Sequence, residues 1–211
     1  MRIAILLFDR FTALDAVGPY EILCRAPGAE TVFVAESAGA VRNDSGSLAL
    51  VADRALDDAP AADLLIVPGG PGQSAQMGNE ALLGWLRRAD ATSTWTTSVC
   101  TGSLLLAAAG LLDGRRATSH WLALETLKEY GVEPTGERVV TDGKYVTAAG
   151  VSAGIDMGLT LLGRIAGDEH AQAVQLFTEY DPQPPYDAGS PAKAPAALVE
   201  EGRARSRFVL R

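Results

Sequence analysis

The chain has 211 residues, 47% hydrophobic and 21% charged, which is enough to bury the core of one α/β domain and excludes a largely disordered protein. Its formal net charge of -8 argues against nucleic acid as a partner, because contacts to phosphates require clustered Lys and Arg. We expect no membrane span, since no apolar run reaches about 18 residues, and no secretory leader. We therefore expect a cytoplasmic protein in which Cys24 and Cys100 are reduced.

The first half of the chain alternates short apolar runs with helical patterns, which is typical of a parallel sheet with crossover helices. The predicted strands are Arg2 to Phe8, Thr31 to Glu36, Asp63 to Val67 and Thr94 to Val99. The predicted helices are Leu14 to Arg25, Asn79 to Ala89 with Asn79 as its cap, and Thr101 to Ala109. Pro19 is compatible with the first helix only in its first turn. A turn within Val41 to Val51 predicts a hairpin or loop excursion.

The second half adds a hairpin, two helices and a proline-rich arm. Asp142-Gly143 predicts a type I′ turn between Arg138 to Thr141 and Lys144 to Thr147. The other predicted elements are a short strand at Arg115 to Ser119 and helices at Trp121 to Tyr130, Val151 to Ile165 and Glu169 to Thr178. Prolines after Tyr180 predict an extended arm, followed by a short helix near Ala196 to Arg203. No linker divides the chain, so residues 1–211 are predicted to form one domain with an arm from about residue 180.

Cys100 lies where a predicted strand ends and a Leu/Ala-rich helix begins at once. This is the plan of a nucleophile elbow, and Gly102 leaves room for the close approach of helix and strand. Unpaired N–H groups at the helix start and the helix dipole favour the thiolate, and the same N–H groups suit a developing negative charge on a substrate. The alternative is a small buried hydrophobe. Cys24, in the middle of a predicted helix, fits that alternative better.

Two loops are expected beside Cys100 at the carboxyl edge of the sheet. Asp15 follows the first strand, where it can act as a general acid or base or hydrogen-bond to a protonated thiol; the alternative is a first-turn acid favoured by the helix dipole. Gly69 and Gly70 follow the third strand, where backbone amides can approach a ligand; the alternative is a plain turn. No phosphate-loop spacing is present.

The chain has two histidines, and neither is part of a metal-binding pattern. His120 pairs with the nucleophile only if its ring points at the sulfur, and His170 is predicted to be a surface residue. Cys and His do not cluster at ligand spacings, so no metal site is predicted.

Several of these segments together resemble a known superfamily. They are Leu14-Asp15 with Gly18-Pro19, Ile66 to Gly70, Ser98 to Ser103, Ala108 to Leu112, Gly114 to Thr118, His120-Trp121, Ala153 to Asp156 and the tail Pro184 to Pro191. The chain resembles the ThiJ/PfpI branch of the class I glutamine amidotransferase-like proteins, and within it the isonitrile hydratases, also called cyclohexyl-isocyanide hydratases. The likeness covers nearly the whole chain.

This resemblance implies a flavodoxin-like three-layer α/β sandwich with a mostly parallel central sheet. It implies a small-molecule substrate, R–N≡C, hydrated to an N-substituted formamide without a metal or organic cofactor. Cys100 would attack the terminal carbon to form a thioimidate, and Asp15 would handle protons and orient the water. The Thr101 hydroxyl and nearby amides, including those of Gly69 and Gly70, would assist. The resemblance also implies a homodimer.

Departures from relatives keep other functions open. Amidase- and protease-like relatives have a histidine where this chain has Thr101, which argues against peptidase activity. Val17 and Tyr20 stand where a polar Thr and His are expected in the hydratases. Sensory halves of AraC-type regulators share the cysteine turn, but require a further helix-turn-helix domain that we do not expect before Arg211. The alternatives are a thiol-based redox or ligand sensor, a stress protein, and an amidase or glyoxalase-like activity on small carbonyl compounds.

Overall fold

The computed structural model describes residues 1–206, so the last five residues of the predicted domain lie outside the description. The strands are β1 (Arg2–Leu6), β2 (Glu30–Ala35), β3 (Gly39–Arg42), β4 (Ala49–Ala52), β5 (Arg54–Ala55), β6 (Leu64–Val67), β7 (Trp95–Val99), β8 (Arg116–Ala117), β9 (Glu133–Pro134), β10 (Val139–Asp142) and β11 (Tyr145–Ala148). The helices are α1 (Ala13–Leu23), α2 (Gln73–Gln76), α3 (Glu80–Thr92), α4 (Gly102–Ala108), α5 (Leu124–Lys128), α6 (Ala153–Ala166), α7 (Asp168–Phe177) and α8 (Ala196–Ala204), with a 3₁₀ turn at Leu56–Asp58.

Seven strands form the central sheet in the order β10-β11-β7-β6-β1-β2-β5. Every pairing is parallel except that of β10 with β11. β1 and β6 are almost continuous apolar runs with little exposure, as expected for strands that helices cover on both faces, whereas β7 buries Thr96, Thr97 and Ser98. One helix group consists of α1, α6 and α7, and another of α2 to α5. The predicted mostly parallel α/β sandwich is confirmed.

The parallel arrangement brings the functional loops together. The ends of β1, β6 and β7 are adjacent because these strands are neighbours in register. The loop after β1 is tied to the loop after β6, since the Thr12 N–H donates to the Gly69 carbonyl at 2.9 Å. The carboxyl edge of the sheet therefore places α1, the Gly69-Gly70 turn and the β7–α4 bend side by side.

Pro19 lies inside α1 rather than in its first turn, so that expectation was wrong. A proline here leaves the carbonyl four residues earlier without its helical donor. Packing against α6 accounts for the exception: at Gly154 a Cβ would lie 3.0 Å from Pro19 Cδ and 3.1 Å from a Val99 methyl. The two helices approach closely enough for tertiary contacts to compensate for the lost hydrogen bond.

Other elements match the predictions with limited differences. The β3–β4 hairpin is present, and Asn79 caps α3 by accepting the Leu82 N–H. The β10–β11 hairpin is also present, but Asp142 pairs with Tyr145, so its two loop residues are Gly143 and Lys144. Only Gly143 has a positive φ, of 60°, so the prediction of a type I′ turn at Asp142-Gly143 was wrong.

The strand predicted at Arg115 to Ser119 shortens to β8 and pairs with β9, outside the central sheet. Residues 180–195 form an irregular, mostly exposed arm that precedes α8.

Candidate active site

Cys100 occupies the predicted strand-to-helix bend and adopts a left-handed backbone conformation with φ of 57°. Residues other than glycine rarely adopt this conformation, which costs of order 1 kcal/mol and is typical of nucleophile elbows. The bend is close-packed, because a Cβ at Gly102 would overlap the Val67 carbonyl oxygen. The Cys100 N–H donates to the carbonyl oxygens of Ala148 and Ala149 at 3.0 and 3.2 Å.

Two buried serines hold the carbonyl group of the nucleophile. The Cys100 carbonyl oxygen accepts hydrogen bonds from Ser103 Oγ at 3.2 Å and from Ser119 Oγ at 3.1 Å. Together with the N–H contacts, these bonds fix both peptide groups of the bend and offset the cost of its backbone conformation. The sequence analysis missed Ser119 as a site residue. Its only signal was its place between the short strand and His120, which does not show where the hydroxyl points.

Asp15 is fully buried in α1 beside the nucleophile. Its Oδ2 accepts the Gly69 N–H at 2.9 Å, whereas Oδ1 has no well-formed hydrogen bond within residues 1–206. Burial raises the pKa of Asp15 from 3.8 to about 8. The hydrogen bond from the Gly69 N–H and a looser one from the Cys100 thiol lower this pKa, but by less than burial raises it. The carboxyl group is therefore protonated at neutral pH.

Burial also raises the pKa of the Cys100 thiol well above 9.0, and the nearby Asp15 carboxylate raises it further. The N–H groups of Thr101 and Val151 stabilise the thiolate but do not outweigh the loss of water. The helix start does favour the thiolate, as expected, but burial outweighs it and leaves the pKa of Cys100 raised. Cys100 and Asp15 form a neutral pair at neutral pH.

Thr101 and the Gly69-Gly70 turn are joined by a close contact. The Thr101 hydroxyl oxygen accepts the Gly70 N–H at 3.0 Å, and a Cβ at Gly69 would lie 2.5 Å from the Thr101 nitrogen. The amides of Gly69 and Gly70, which we predicted to face a ligand, thus donate to Asp15 and Thr101. Both bonds position the site, and a direct role of these amides in substrate binding remains a prediction.

A cavity of about 310 Å³ is lined in part by Gly189, Ser190 and Pro191 of the arm, and we call it the arm cavity. Its lining residues are Thr118, Ser119, His120, Trp121, Leu124, Gly136, Arg138, Ala149, Gly150, Val151, Gly189, Ser190 and Pro191. Cys100 itself is fully buried and does not line the cavity, but two lining residues contact it: the Ser119 hydroxyl donates to the Cys100 carbonyl oxygen, and the Val151 N–H interacts with the sulfur.

His120 lies in this wall, with its ring packed on Gly150, where a Cβ would be 2.5 Å from His120 Cδ2. Its Nδ1 accepts the Leu122 N–H at 3.3 Å, which assigns the proton of the neutral ring to Nε2. A role of His120 in proton transfer remains a prediction. His170 instead contacts the Arg25 carbonyl at the end of α1, with its Nε2 2.9 Å from that oxygen.

Within residues 1–206, no three His, Cys, Asp or Glu side chains gather as a metal site. No helix in that range is long and apolar enough to cross a membrane. Cys24 and Cys100 are both free thiols.

Comparisons with known proteins place this geometry in context. The sequence pattern of the DJ-1/PfpI family matches residues 1–164. The chain is 43% identical over 206 residues to an isonitrile hydratase of Pseudomonas putida, covering 98% of this chain and 90% of that protein. It is 37% identical over 138 residues to the HTH-type transcriptional regulator CdhR of Pseudomonas aeruginosa, of which it covers 40%. The crystal structure of a ThiJ/PfpI family protein from Pseudomonas syringae superimposes with a TM-score of 0.93 at 38% identity, covering 96% of this chain and 84% of that one.

Proposed function

The chain belongs to the DJ-1/PfpI family, and from this premise we propose that it adds water to an isonitrile to give an N-substituted formamide. The observation that carries the proposal is the contact between two fully buried side chains, the Cys100 thiol and the Asp15 carboxyl group, and burial raises the pKa of both. An isonitrile is a neutral molecule whose terminal carbon must gain both a nucleophile and a proton. A thiol beside a protonated carboxyl group supplies both without a metal or organic cofactor.

In the first step, the Cys100 sulfur forms a bond to the isonitrile carbon. Asp15, which holds its proton below about pH 8, gives that proton to the same carbon and is restored by the thiol proton. The product is a thioimidate, Cys–S–CH=N–R, and no proton is gained or lost overall. Oδ1 of Asp15 is suited to this relay because it has no well-formed hydrogen bond in the described part of the chain, while Oδ2 is held by Gly69.

In the second step, water adds to the C=N carbon and the nitrogen gains a proton. Asp15, which regained a proton in the first step, orients the water. As the C–O bond forms, it accepts a water proton on one oxygen and passes its own proton from the other to the nitrogen, so that it ends the step neutral. The C–S bond then breaks, the thiol recovers a proton and the carbonyl of R–NH–CHO forms. Thr101 assists, because its oxygen accepts the Gly70 N–H and no acceptor in residues 1–206 is assigned to its hydroxyl proton. That hydroxyl group can donate a hydrogen bond to the substrate nitrogen.

The test is formamide production from several alkyl and aryl isonitriles, measured by chromatography. The wild-type chain should produce formamide, Cys100→Ala should produce none, and Cys24→Ala, the matched control at the other free thiol, should be as active as the wild type. Failure of the wild type on every isonitrile, or retained turnover in Cys100→Ala, would overturn the proposal.

The second candidate is a thiol-based sensor, and the similarity to CdhR favours it. Oxidation by peroxide requires a thiolate, whereas burial raises the pKa of Cys100 and the proposed hydration starts from the neutral thiol. We therefore prefer the hydratase.

We also propose a cytoplasmic homodimer. Leu176 and Phe177 at the end of α7 are 79% and 77% exposed in the single chain, which suits a surface covered by a second copy. The two free thiols suit a reducing compartment.

A further inference from the structure

The loop of the β3–β4 hairpin lies against the start of α1, next to the active site. The Asp44 N–H donates to the Phe11 carbonyl oxygen at 2.8 Å, and Asn43 forms a parallel β-bridge with Phe11. The Arg10 N–H donates to the Arg42 carbonyl oxygen at 2.9 Å. A hairpin that is distant in sequence therefore borders the loop from which α1 begins.

Two side chains fix the carboxylate of Asp44, which is half-buried. Its Oδ2 accepts the Thr12 hydroxyl at 3.1 Å, and its Oδ1 accepts the Asn43 side-chain amide at 3.2 Å. Asn43 is buried, and its own Oδ1 accepts the Leu48 N–H at 3.1 Å across the hairpin loop. Thr12 is the N-cap residue of α1, but its hydroxyl makes no cap to the helix because it is directed to Asp44.

A chain of hydrogen bonds runs from Thr12 to the carboxyl group of Asp15. The Thr12 N–H donates to the Gly69 carbonyl oxygen at 2.9 Å, and the Gly69 N–H donates to Asp15 Oδ2 at 2.9 Å. The Thr12 carbonyl oxygen also accepts the Asp15 N–H at 3.1 Å. Asp44 therefore holds the residue that positions both the backbone of Asp15 and the peptide bound to its carboxyl group.

Asp44 also acts on Asp15 through its negative charge. Burial is the main cause of the raised pKa of Asp15, and the charge of Asp44 changes this pKa in the same direction. The Gly69 N–H and the Cys100 thiol act in the opposite direction. Because like charges repel, an ionised Asp44 favours the protonated form of Asp15, which is the form that starts the proposed proton relay.

The other charged groups around α1 are exposed or directed to other partners. Asp9 and Arg10, on the loop before α1, are exposed. On α1, on the hairpin and on α6, which packs against α1, the charged side chains make these contacts: Glu21 with Arg25, Arg42 with the Gly46 carbonyl oxygen, Asp156 with Arg138, and Arg164 with the Trp95 ring. Among the residues that the structure describes, Asp44 is thus the carboxylate whose charge acts on Asp15.

We propose that Asp44 is a positioning residue for the hydration: through Thr12 it holds Asp15 in place, and its negative charge keeps Asp15 protonated. This inference rests on the proposed function, because the proton relay is what requires a protonated Asp15. The action of Asp44 on the reaction is indirect and passes through Thr12 and Asp15.

The first test measures the titration of Asp15 itself. The aspartate carboxyl carbons are labelled with carbon-13 and followed by NMR over a series of pH values, and the Asp15 signal is the one absent from Asp15→Asn. In the wild type its midpoint should lie at about 8. Asp44→Asn keeps an oxygen for the Thr12 hydroxyl but loses the charge, so the midpoint should fall by about half a pH unit, the order expected for one partly screened charge.

Two further variants separate the charge of Asp44 from its shape. Asp44→Ser, a second variant without the charge, should lower the midpoint as Asp44→Asn does. Asp44→Glu retains the charge and should return the midpoint toward the wild-type value.

The second test follows turnover of an isonitrile in the same variants. In Asp44→Asn, the pH at which kcat falls on the alkaline side should decrease by the same amount as the NMR midpoint, with little change in KM. Thr12→Val keeps the charge of Asp44 and removes the hydroxyl that it binds, so kcat should fall about tenfold at every pH. Thr12→Ser, which keeps the hydroxyl, should restore kcat.

Asp53 provides the matched control, since it follows the other strand of the same hairpin and also accepts a backbone hydrogen bond, from the Phe33 N–H at 2.9 Å. Asp53→Asn should leave the midpoint of Asp15 unchanged. A midpoint in Asp44→Asn equal to that of the wild type, or an equal change in Asp53→Asn, would overturn the proposal.

The two proposals fail separately. If no isonitrile is hydrated but Asp44→Asn lowers the NMR midpoint of Asp15, the role of Asp44 stands and the reaction is wrong. If isonitriles are hydrated and Asp44→Asn changes neither the midpoint nor the pH dependence of kcat, the reaction stands and the role of Asp44 is wrong.

Discussion

Replacing Asp15 by asparagine tests whether the active site is neutral. Burial raises the pKa of Asp15 from 3.8 to about 8, so over this range the folded chain retains a proton that the unfolded chain releases. The stability associated with this proton is fully present below about pH 4 and is lost as the pH rises through about 8. At about 1.36 kcal/mol for each pH unit, the loss over the whole range is of order 6 kcal/mol.

Asp15→Asn keeps the shape of the side chain and an oxygen for the Gly69 N–H, but it does not titrate. The free energy of unfolding of the variant, relative to wild type, should therefore increase by several kcal/mol between about pH 5 and about pH 9. Formamide production should be lost at the same time, because an amide cannot relay a proton. Urea unfolding curves at a series of pH values, followed by tryptophan fluorescence, measure the stability difference.

An exposed carboxylate provides the control. The Asp57 side chain is 96% exposed, and Asp57→Asn is measured over the same pH series. A stability difference for Asp15→Asn that does not vary with pH would mean that Asp15 is ionised in the folded protein, and the proton relay would then be wrong.

Three further predictions concern the surroundings of the nucleophile. Ser119→Ala removes one of two hydrogen bonds to the Cys100 carbonyl oxygen, so kcat should fall about tenfold with little change in KM, and Ser119→Thr should restore it. Gly69→Ala places a methyl group 2.5 Å from the Thr101 nitrogen, so it should abolish turnover and lower the unfolding temperature, measured by circular dichroism. Burial raises the pKa of Cys100 well above 9.0, so in the Cys24→Ala variant iodoacetamide should label Cys100 slowly at neutral pH and faster as the pH rises. Rapid labelling at neutral pH would contradict the neutral pair.

The parts of the site that were predictable from sequence depend on local patterns. An apolar strand followed at once by a Leu/Ala-rich helix leaves little freedom for the residue between them, so Cys100 could be placed on the bend without a structure. Adjacent parallel strands then required the loops that carry Asp15 and Gly69 to end near it. The hairpin next to Gly143 was predictable for the same local reason, although its loop lies one residue later than predicted.

The parts that were not predictable depend on burial and on long-range packing. The helix start favoured the thiolate, but the opposing effect of complete desolvation is set by surroundings that are distant in sequence. Pro19 is tolerated inside α1 only because Gly154 of α6 lets the two helices approach. Likewise, nothing in the sequence showed that the Ser119 hydroxyl turns back to the Cys100 carbonyl or that the Thr118 hydroxyl remains unpaired.

The residue after the nucleophile links the packing of the site to its chemistry. Thr101 is fully buried, and its hydroxyl oxygen accepts the Gly70 N–H. In the same turn, the Gly69 N–H donates to the Asp15 carboxyl group. A histidine ring following the path of the Thr101 side chain would meet this turn, because even a methyl group at Gly69 would lie 2.6 Å from Thr101 Oγ1. Space for the ring would have to come from the turn, and moving the turn would release the Asp15 carboxyl group. The small Thr101 side chain and the buried Asp15 carboxyl group therefore depend on each other. In this site a carboxyl group, rather than an imidazole, exchanges protons with the Cys100 thiol.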